Sequence, residues 1–271
     1  MTATTTDPAA AAADEPYVTR TDSGGVATLT LNRGARFNPL SRAMLEALDA
    51  ALATIGDEPS VRAVVLEGSG RGFSAGHDLG EMRSHVGDDD WQQELFDACS
   101  VVMLRLTQIP QPVIAKVDGI ATAAGCQLVS MCDLAVASEG SRFGLPGVNI
   151  GVFCSTPAVG VARNVGRKRA MELLLTGEMV DAATALDWGL LNAVVPADQL
   201  DAAVARFTDV ITSRSAAVIA NGKRTFWAQI DQPLASAYET AGRAMVADLA
   251  GEDAAEGIDA FLQKRRPVWR G

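Results

Sequence analysis

The chain has 271 residues, of which 48% are hydrophobic and 21% are charged, and its formal net charge at pH 7 is −10. This composition is ordinary for a soluble globular protein, and the length allows one large domain or one domain with an appendage. Because the chain is acidic and has no long basic run, it is not expected to bind nucleic acid. The four cysteines follow no metal-ligand spacing and only two histidines are present, so no metal site is expected.

The N-terminal stretch is expected to be a disordered leader and not a targeting signal. Residues 1–16 have no basic residue before their alanine run and have acidic residues after it, which argues against a secretory signal and an Arg-rich transit peptide. No segment reaches the roughly 18 uninterrupted apolar residues of a membrane span, so no membrane association is expected. Free cysteines suit a reducing compartment. The sequence therefore predicts a cytoplasmic protein.

Strand and helix patterns alternate through residues 17–196, which predicts a layered α/β core. Helical spacing runs from Met44 to Ile55 and again over roughly residues 91–107, and a short helix is predicted at AGCQLVSMC, residues 124–132. The strand patterns are VATLTLN (26–32), RAVVLEG (62–68), PVIAKVDG (112–119) and DLAVAS (133–138).

The C-terminal part has a different pattern. From about residue 156 the sequence is nearly all helical, with one interruption at LLNAVVP, residues 190–196. No internal repeat accompanies this change. Residues 197–271 are therefore predicted to form a C-terminal helical segment.

Two loops share one design. GFSAGHDLG (72–80) follows the strand RAVVLEG, and GIATAAGCQL (119–128) follows the strand PVIAKV. Each leads through small residues into a helix start, where backbone N–H groups are unpaired and the helix dipole favours negative charge. Two such groups directed at one point would form an oxyanion hole around a carbonyl oxygen that becomes negative during reaction. The alternative that both are simply tight turns stays open from the pattern alone.

These loops and the ending EGIDAFLQKRRPVW resemble the crotonase (enoyl-CoA hydratase/isomerase) superfamily over roughly residues 17–269. RFNPLS is similar to its early Asn-Ala-Leu element, FSAGHDL to its first oxyanion loop, and VDGIATAAGCQLVSMCDLAVAS to its second. VNIGVFCSTPAVGVAR resembles the branch of mitochondrial hydratase-domain proteins and their bacterial relatives.

The resemblance implies an α/β fold, with a crotonase-type spiral core of ββα turns and a C-terminal helical trimerisation segment. It implies an acyl-CoA thioester as substrate or ligand, no covalently bound cofactor, and homotrimers that commonly pair into hexamers. The activity it implies is that of a lyase or isomerase of fatty acid metabolism.

The resemblance assigns the oxyanion-hole N–H groups to His77 and Ala124. Ala124 stands where the family usually has glycine, and its N–H keeps this role if its φ is negative. The family's two catalytic glutamates fall on Gln127 and Gly147. Because a glutamine amide takes up no proton at neutral pH and glycine has no side chain, efficient water addition by the usual mechanism is not expected. Two alternatives stay open: Gln127 as a helix residue satisfied by a neighbour, and Gly147 at a positive φ that glutamate would resist.

Other positions are implied in binding the substrate and its coenzyme A moiety. Asp78 is expected to hold the following helix start through backbone N–H groups and not to transfer protons. Phe261 and Lys264 come near the CoA nucleotide in the family, often from the neighbouring subunit, although a solvated helix end would explain this cationic stretch as well. The binding candidates are Arg36, Phe37, Ala75, Gly76, Asp78, Leu79, Gly80, Phe261 and Lys264.

Three functions stay open. The first is an acyl-CoA enzyme of the hydratase/isomerase family. The second is a decarboxylase-type lyase using His77, because a GHD sequence also occurs in this loop of a decarboxylase of the superfamily and loss of CO₂ needs no base. A purely structural His77 competes with that interpretation. The third is a non-catalytic acyl-CoA-binding protein.

Overall fold

The computed structural model of the protein describes residues 15–270. Most of the predicted disordered leader, residues 1–16, lies outside the described residues. At its end, the carbonyl oxygens of Glu15 and Pro16 accept hydrogen bonds from the Arg33 guanidinium at 2.7 and 3.1 Å.

The described residues form two sheets, and the chain passes repeatedly from a strand of the larger sheet to a strand of the smaller one. The larger sheet has the order β1-β2-β3-β5-β7-β10 and the smaller one β4-β6-β8-β9, where the strands are β1 (Val18–Ser23), β2 (Val26–Leu31), β3 (Ala63–Gly68), β4 (Gly72–Ser74), β5 (Val113–Val117), β6 (Ile120–Thr122), β7 (Leu134–Ser138), β8 (Arg142–Gly144), β9 (Met179–Asp181) and β10 (Ala193–Val195). The β1–β2 and β8–β9 pairs are antiparallel, and the other neighbours are parallel.

Helices follow the strands in a regular order. The α-helices of the described chain are α1 (Arg42–Gly56), α2 (Leu79–Ser84), α3 (Asp89–Gln108), α4 (Ala124–Met131), α5 (Ser155–Asn164), α6 (Arg167–Thr176), α7 (Ala182–Asp187), α8 (Leu200–Thr212), α9 (Ala216–Gln229), α10 (Leu234–Leu249) and α11 (Glu252–Leu262). Short 3₁₀ helices lie at Gly34–Arg36, Pro146–Ile150 and Ala197–Gln199. Three times the chain passes from a strand of the larger sheet to one of the smaller sheet and then into a helix. The predicted α/β core of ββα turns is confirmed.

Hydrophobic periodicity explains the main elements. In β2, Ala27, Leu29 and Leu31 are buried and alternate with partly exposed residues, as one covered face requires. The predicted helix between Met44 and Ile55 is α1, whose buried residues recur at helical spacing. Its first turn is capped by Ser41, which accepts a hydrogen bond from the Met44 N–H.

A buried ion pair attaches the C-terminal helices to the core. The Lys223 ammonium on α9 lies 2.7 Å from the Asp133 carboxylate and donates to the carbonyl oxygens of Leu106 and Gln111 at 2.7 and 2.8 Å. The indole of Trp227, one turn further along α9, donates to the same carboxylate at 3.3 Å. Desolvation lowers the pKa of Lys223, whereas Asp133 opposes this shift. Both the Lys223 ammonium and the Asp133 carboxylate therefore have hydrogen-bond partners that offset the loss of hydration on burial.

The helix-rich C-terminal part is as predicted, with two strands inside the region from about residue 156. One is β10, within the predicted interruption, and the other is β9, which the sequence pattern did not indicate. Within residues 15–270, no helix combines the length and the hydropathy needed to cross a bilayer. The described residues also contain no cluster of three or more His, Cys, Asp or Glu suited to a metal ion.

Candidate functional site

The first loop leaves the backbone N–H of His77 without a partner among the described residues. After β4, the Ala75 N–H donates to Phe37 O at 2.8 Å and the Ala75 carbonyl accepts from Thr122 Oγ1 at 3.0 Å. The Gly76 N–H donates to Ser74 Oγ at 3.2 Å and its carbonyl accepts from the Leu40 N–H at 2.8 Å. The next N–H, that of His77, has no hydrogen-bond acceptor among residues 15–270. Since buried backbone donors are normally paired, this N–H is available to a ligand.

The second loop repeats this arrangement at the start of α4. The Ala123 N–H donates to Gly144 O at 2.9 Å, and the Ala123 carbonyl accepts from the Gln127 N–H at 3.0 Å. The Ala124 N–H, in the first helical turn, has no acceptor in the described part of the chain. Helix N-termini favour developing negative charge because their N–H groups and dipole point outward.

Backbone strain in the second loop lies one residue earlier than the sequence analysis considered. Ala124 is helical and its φ is not positive, so its N–H survives the replacement of glycine as expected. Ala123 instead has φ 49° and ψ −120°, a region that strongly favours glycine. This sharp turn follows β6 and leads into α4 beside the first loop.

The two loops are in direct contact, which explains their small residues. A Cβ on Gly76 would lie 3.0 Å from the Ala123 Cβ and 3.2 Å from the Ala124 nitrogen. A Cβ on Gly125 would lie 2.8 Å from the Ser74 Cβ and would overlap the Ser74 carbonyl oxygen. The predicted close approach of the loops is thus present, and larger side chains would separate the two free N–H groups.

Both loops line one cavity of about 520 Å³. Its wall contains no Asp, Glu, Lys or Arg from the described residues, and most of it is aliphatic or aromatic. The lining residues are Ala75, His77, Leu79, Met82, Phe96, Ala123, Ala124, Pro146, Gly147, Asn149, Ile150, Val152, Phe153, Cys154, Ser155, Thr156 and Pro157. Such a cavity suits an apolar group whose single polar end meets the two N–H groups.

The His77 side chain is neutral at physiological pH. Burial lowers the pKa of His77 to about 4. Its ring packs edge-on against Phe96, with centroids 5.3 Å apart, and its Nε2 is buried without a hydrogen-bond partner among the described residues. A neutral imidazole is a weak partner for a carboxylate, so the ring contributes mainly shape to this wall.

Gln127 and Gly147 differ in their relation to the cavity. Gln127 is 5% exposed and is not part of the cavity wall, and its Oε1 finds no donor within residues 15–270. The interpretation of Gln127 as a helix residue satisfied by a neighbour is therefore wrong for this oxygen. Gly147 does line the cavity, but its φ is not positive, contrary to the possibility raised from the sequence. A Cβ there would lie 2.7 Å from Cys154 Sγ and would overlap the Val152 carbonyl.

Asp78 caps α2, as predicted. One carboxylate oxygen accepts from the Gly80 and Glu81 N–H groups at 3.0 and 3.3 Å, and the other accepts from Arg36 at 2.8 Å. The Arg36 side chain is 66% exposed, whereas that of Asp78 is 10% exposed. Leu79 is 56% exposed at the cavity edge.

A smaller cavity of about 210 Å³ lies beside this ion pair. It is lined by Tyr17, Arg33, Arg36, Pro39, Ser41, Ala43, Asp78 and Glu81. The Arg33 guanidinium stacks over the Tyr17 ring at 3.9 Å. Two arginines thus border a pocket next to the main cavity.

The remaining binding candidates are not brought together in a single chain. Phe37 has a left-handed backbone, φ 59°, and its ring lies 5.5 Å from the Arg71 guanidinium, near the loops. Phe261 is 82% exposed at the end of α11, and Lys264 follows it with φ 55°. Neither Phe261 nor Lys264 lines the main cavity.

The chain resembles known proteins over most of its length. The sequence profile described as "Enoyl-CoA hydratase/isomerase" matches residues 21–271. The chain belongs to the enoyl-CoA hydratase/isomerase family. It is 46% identical to mouse "Enoyl-CoA hydratase domain-containing protein 3, mitochondrial" over 94% of this chain and 85% of the mouse protein.

Solved structures of the family share the fold. A Mycobacterium smegmatis enoyl-CoA hydratase superposes with a TM-score of 0.92 at 50% identity, covering 94% of this chain and 99% of that chain. Human enoyl-CoA hydratase domain-containing protein 3 superposes with a TM-score of 0.90 at 45% identity, covering 93% and 100%. The resemblance to the crotonase superfamily, and within it to this branch, is confirmed.

One expectation from the sequence is wrong on these comparisons. The chain was expected to be cytoplasmic, but the mouse, rat and human relatives that match over 90% or more of it are named as mitochondrial proteins. Leader composition and unpaired cysteines separate secreted from intracellular proteins, but they do not distinguish intracellular compartments that are all reducing.

Sequence reasoning missed several residues that shape the site. Met82 and Phe96 line the cavity, but as ordinary apolar residues on helices they carry no pattern that distinguishes wall from core. Asn38 is fully buried with φ 49°. The sequence does indicate a turn at this residue, because an Asn before Pro, as in RFNPLS, suits a turn. The pattern does not tell which groups the Asn38 side-chain amide would bind.

Proposed function

We propose that the protein binds acyl-CoA thioesters in the 520 Å³ cavity and polarises the thioester carbonyl with the N–H groups of His77 and Ala124. The observation that carries this proposal is the pair of unpaired N–H groups on two touching loops that line one apolar cavity. Hydrogen-bond donors held in place before the reaction stabilise an enolate oxygen without reorganisation. The apolar wall accommodates the acyl chain.

Coenzyme A is proposed to enter as part of the ligand and not as a resident cofactor. Arg33 and Arg36, which line the smaller cavity, are cations that suit its phosphate groups. Exposed Phe261 and Lys264 would serve the site of a neighbouring protomer in a homotrimer or hexamer, which agrees with their distance from the cavity of their own chain.

Hydration is proposed to be slow. No carboxylate from residues 15–270 lines the cavity, and a positioned general acid or base is typically worth about 10² to 10⁴ in rate. Gln127 and Gly147, where the resemblance puts the two glutamates, supply neither. The polarised carbonyl would remain, so enolate stabilisation is retained while proton transfer is lost.

Decarboxylation of a carboxyacyl-CoA is a second candidate, favoured by the same absence of carboxylates. Loss of CO₂ leaves an enolate that the two N–H groups would stabilise, and the reaction needs no base. The cavity wall offers no lysine or arginine to hold the substrate carboxylate, however, and His77 is neutral. For these two reasons, decarboxylation is the weaker proposal and binding of an uncharged acyl group the stronger one.

The test combines binding and turnover. Titration calorimetry should show saturable binding of butyryl-CoA, and mass spectrometry of a thioester panel should show little gain of water by crotonyl-CoA. Loss of CO₂ from methylmalonyl-CoA would select the second candidate, and binding without any mass change would indicate a carrier. Crotonyl-CoA turnover above about 10 per second, ordinary for an enzyme, would contradict the proposal.

A matched pair of variants tests the carbonyl site directly. Proline is tolerated in the first helical turn and has no N–H, so Ala124→Pro deletes one donor at the start of α4. The change is made in an Ala123→Gly background, because proline restricts the backbone conformation of the residue before it, and glycine has more allowed conformations than alanine. Relative to Ala123→Gly alone, butyryl-CoA affinity should fall about tenfold, as expected for one hydrogen bond. Unchanged affinity would rule out the Ala124 N–H as a carbonyl donor.

A further inference from the structure

Asn38 combines two costly features that only a specific network can offset. Its side chain is 0% exposed, and its backbone has φ 49°, next to Phe37 at φ 59°. Burying an amide without partners and holding a non-glycine residue at positive φ both cost free energy. Asparagine tolerates this conformation better than most residues, but tolerance alone does not explain why it is buried here.

The Asn38 amide ties together the turn between β3 and β4. Its Nδ2 donates to the carbonyl oxygens of Ser69, Gly72 and Phe73 at 2.9, 2.8 and 3.1 Å. Its Oδ1 accepts from the Arg33 N–H at 2.8 Å. One side chain thus fixes the segment before α1 against Ser69, which follows β3, and against the first two residues of β4.

The same residue continues this network to the loop that carries the free N–H. The Asn38 carbonyl accepts from Ser74 Oγ at 2.8 Å, and Ser74 Oγ accepts from the Gly76 N–H at 3.2 Å. On either side of this contact, Phe37 O binds the Ala75 N–H, and the Leu40 N–H binds Gly76 O, each at 2.8 Å.

All backbone N–H and C=O groups of Ala75 and Gly76, the two residues before His77, therefore have hydrogen-bond partners. Asn38 lies between Phe37 and Leu40, which supply two of these partners. Deleting the Asn38 amide would release the segment from β4 and allow the peptide between Gly76 and His77 to rotate. A donor that rotates freely loses most of its preference for a carbonyl oxygen at one point.

We propose that Asn38 is a positioning residue that directs the His77 N–H toward the carbonyl of the bound thioester. The inference rests on the proposed function, because it needs a ligand carbonyl at this point. Asn38 does not line the cavity and acts only through Ser74 and the paired backbone.

The test compares butyryl-CoA with S-butyl-CoA, a thioether of the same length that lacks the carbonyl. Titration calorimetry on the intact chain should give the wild type about a hundredfold preference for the thioester, about tenfold for each of the two N–H donors. Asn38→Gly keeps the positive φ and removes the amide, and Ser74→Ala removes the hydroxyl link alone. Both should lower the preference about tenfold, to the share that the Ala124 N–H still supplies, while S-butyl-CoA affinity changes little.

Gln111→Ala is the matched control. Gln111 is also a buried amide, 6% exposed, and donates to the carbonyl oxygens of Ile55 and Glu58 at 2.8 and 3.3 Å, but it does not line the cavity. Its loss should lower stability and leave the preference intact. If Asn38→Gly does not fold, Ser74→Ala decides.

The outcomes separate the inference from the proposed function. A folded Ser74→Ala or Asn38→Gly protein that keeps the wild-type preference would overturn the positioning role. Equal wild-type binding of both ligands would overturn it too, and would leave CoA binding without carbonyl recognition. Failure of the wild type to bind either ligand would instead remove the proposed function itself.

Discussion

Replacing Ala123 by glycine should stabilise the protein, although most Ala-to-Gly changes destabilise. At φ 49° and ψ −120° the alanine Cβ is strained, and such backbone strain costs about 1–3 kcal/mol. Glycine removes this strain at an entropic cost of about 0.5–1 kcal/mol. The half-buried methyl group is worth about another 0.4 kcal/mol, half the value of a buried methylene. A net stabilisation of about 1 kcal/mol is expected, or about 2–4 °C in Tm for a chain of this size.

Ala124→Gly is the control, one residue along the same loop. Ala124 is helical and 0% exposed, so glycine there costs up to about 1 kcal/mol in helix propensity and about 0.8 kcal/mol in burial. The two variants should change the urea midpoint in opposite directions. The measurement is chemical denaturation at one fixed protein concentration, because assembly makes apparent stability depend on concentration.

Equal destabilisation by both variants would refute the argument. It would mean that Ala123 occupies an unstrained conformation or that its methyl group contributes more packing than its exposure indicates. Stabilisation by Ala123→Gly with retained butyryl-CoA affinity would support both the strained turn and the direction of the Ala124 N–H. Stabilisation with lost affinity would show that the strain itself is needed to hold that direction.

Three further predictions concern protons, the buried ion pair and the cavity wall. Since the pKa of His77 falls from 6.5 unfolded to about 4 folded, the unfolded chain binds more protons in this range. Stability should therefore drop by up to about 3 kcal/mol as pH falls from 6.5 to 4, and this loss should be absent in a His77→Leu urea series. Lys223→Ala leaves the Asp133 carboxylate unpaired and should cost about 3–5 kcal/mol by urea denaturation. Gly147→Glu should give insoluble or unfolded protein by circular dichroism, because its Cβ would overlap the Val152 carbonyl; a folded variant would contradict this.

The fold was predictable where burial imposes a period. β2 and the helix α1 carry the alternating and the helical spacing of their buried faces, and β3 is a continuous apolar run that is buried on both faces. The strands of the smaller sheet are three residues long, too short for any alternation to be visible. β9 pairs antiparallel with β8 through Met179–Gly144 and two neighbouring pairs, a contact between distant segments that local propensity does not specify.

The site was predictable only in part, for a related reason. Small residues between a strand and a helix indicated where free N–H groups would lie, and His77 and Ala124 do carry them on the cavity wall. Ala123 packs against Gly76 of the first loop, and the proposed role of Asn38 depends on carbonyl groups more than thirty positions away along the chain. Such conditions arise from tertiary packing, and no local pattern encodes them.

The position of Gly147 shows why restoring acid–base chemistry would take more than replacing single residues. The space beside its Cα is filled by the Val152 carbonyl and by Cys154 Sγ, and burial raises the pKa of that thiol, so it stays protonated and adds no base. A carboxylate on this side therefore requires the 152–154 segment to move first. Gln127→Glu meets no such obstacle, because the side chains are nearly isosteric, but the new carboxyl would be buried away from the cavity wall. In such an environment its pKa would rise and it would remain neutral at the pH where a base is needed. On the proposed function, the present wall thus favours holding an acyl carbonyl over moving protons, and a working hydratase would need the loop after Gly147 rebuilt before either glutamate could act.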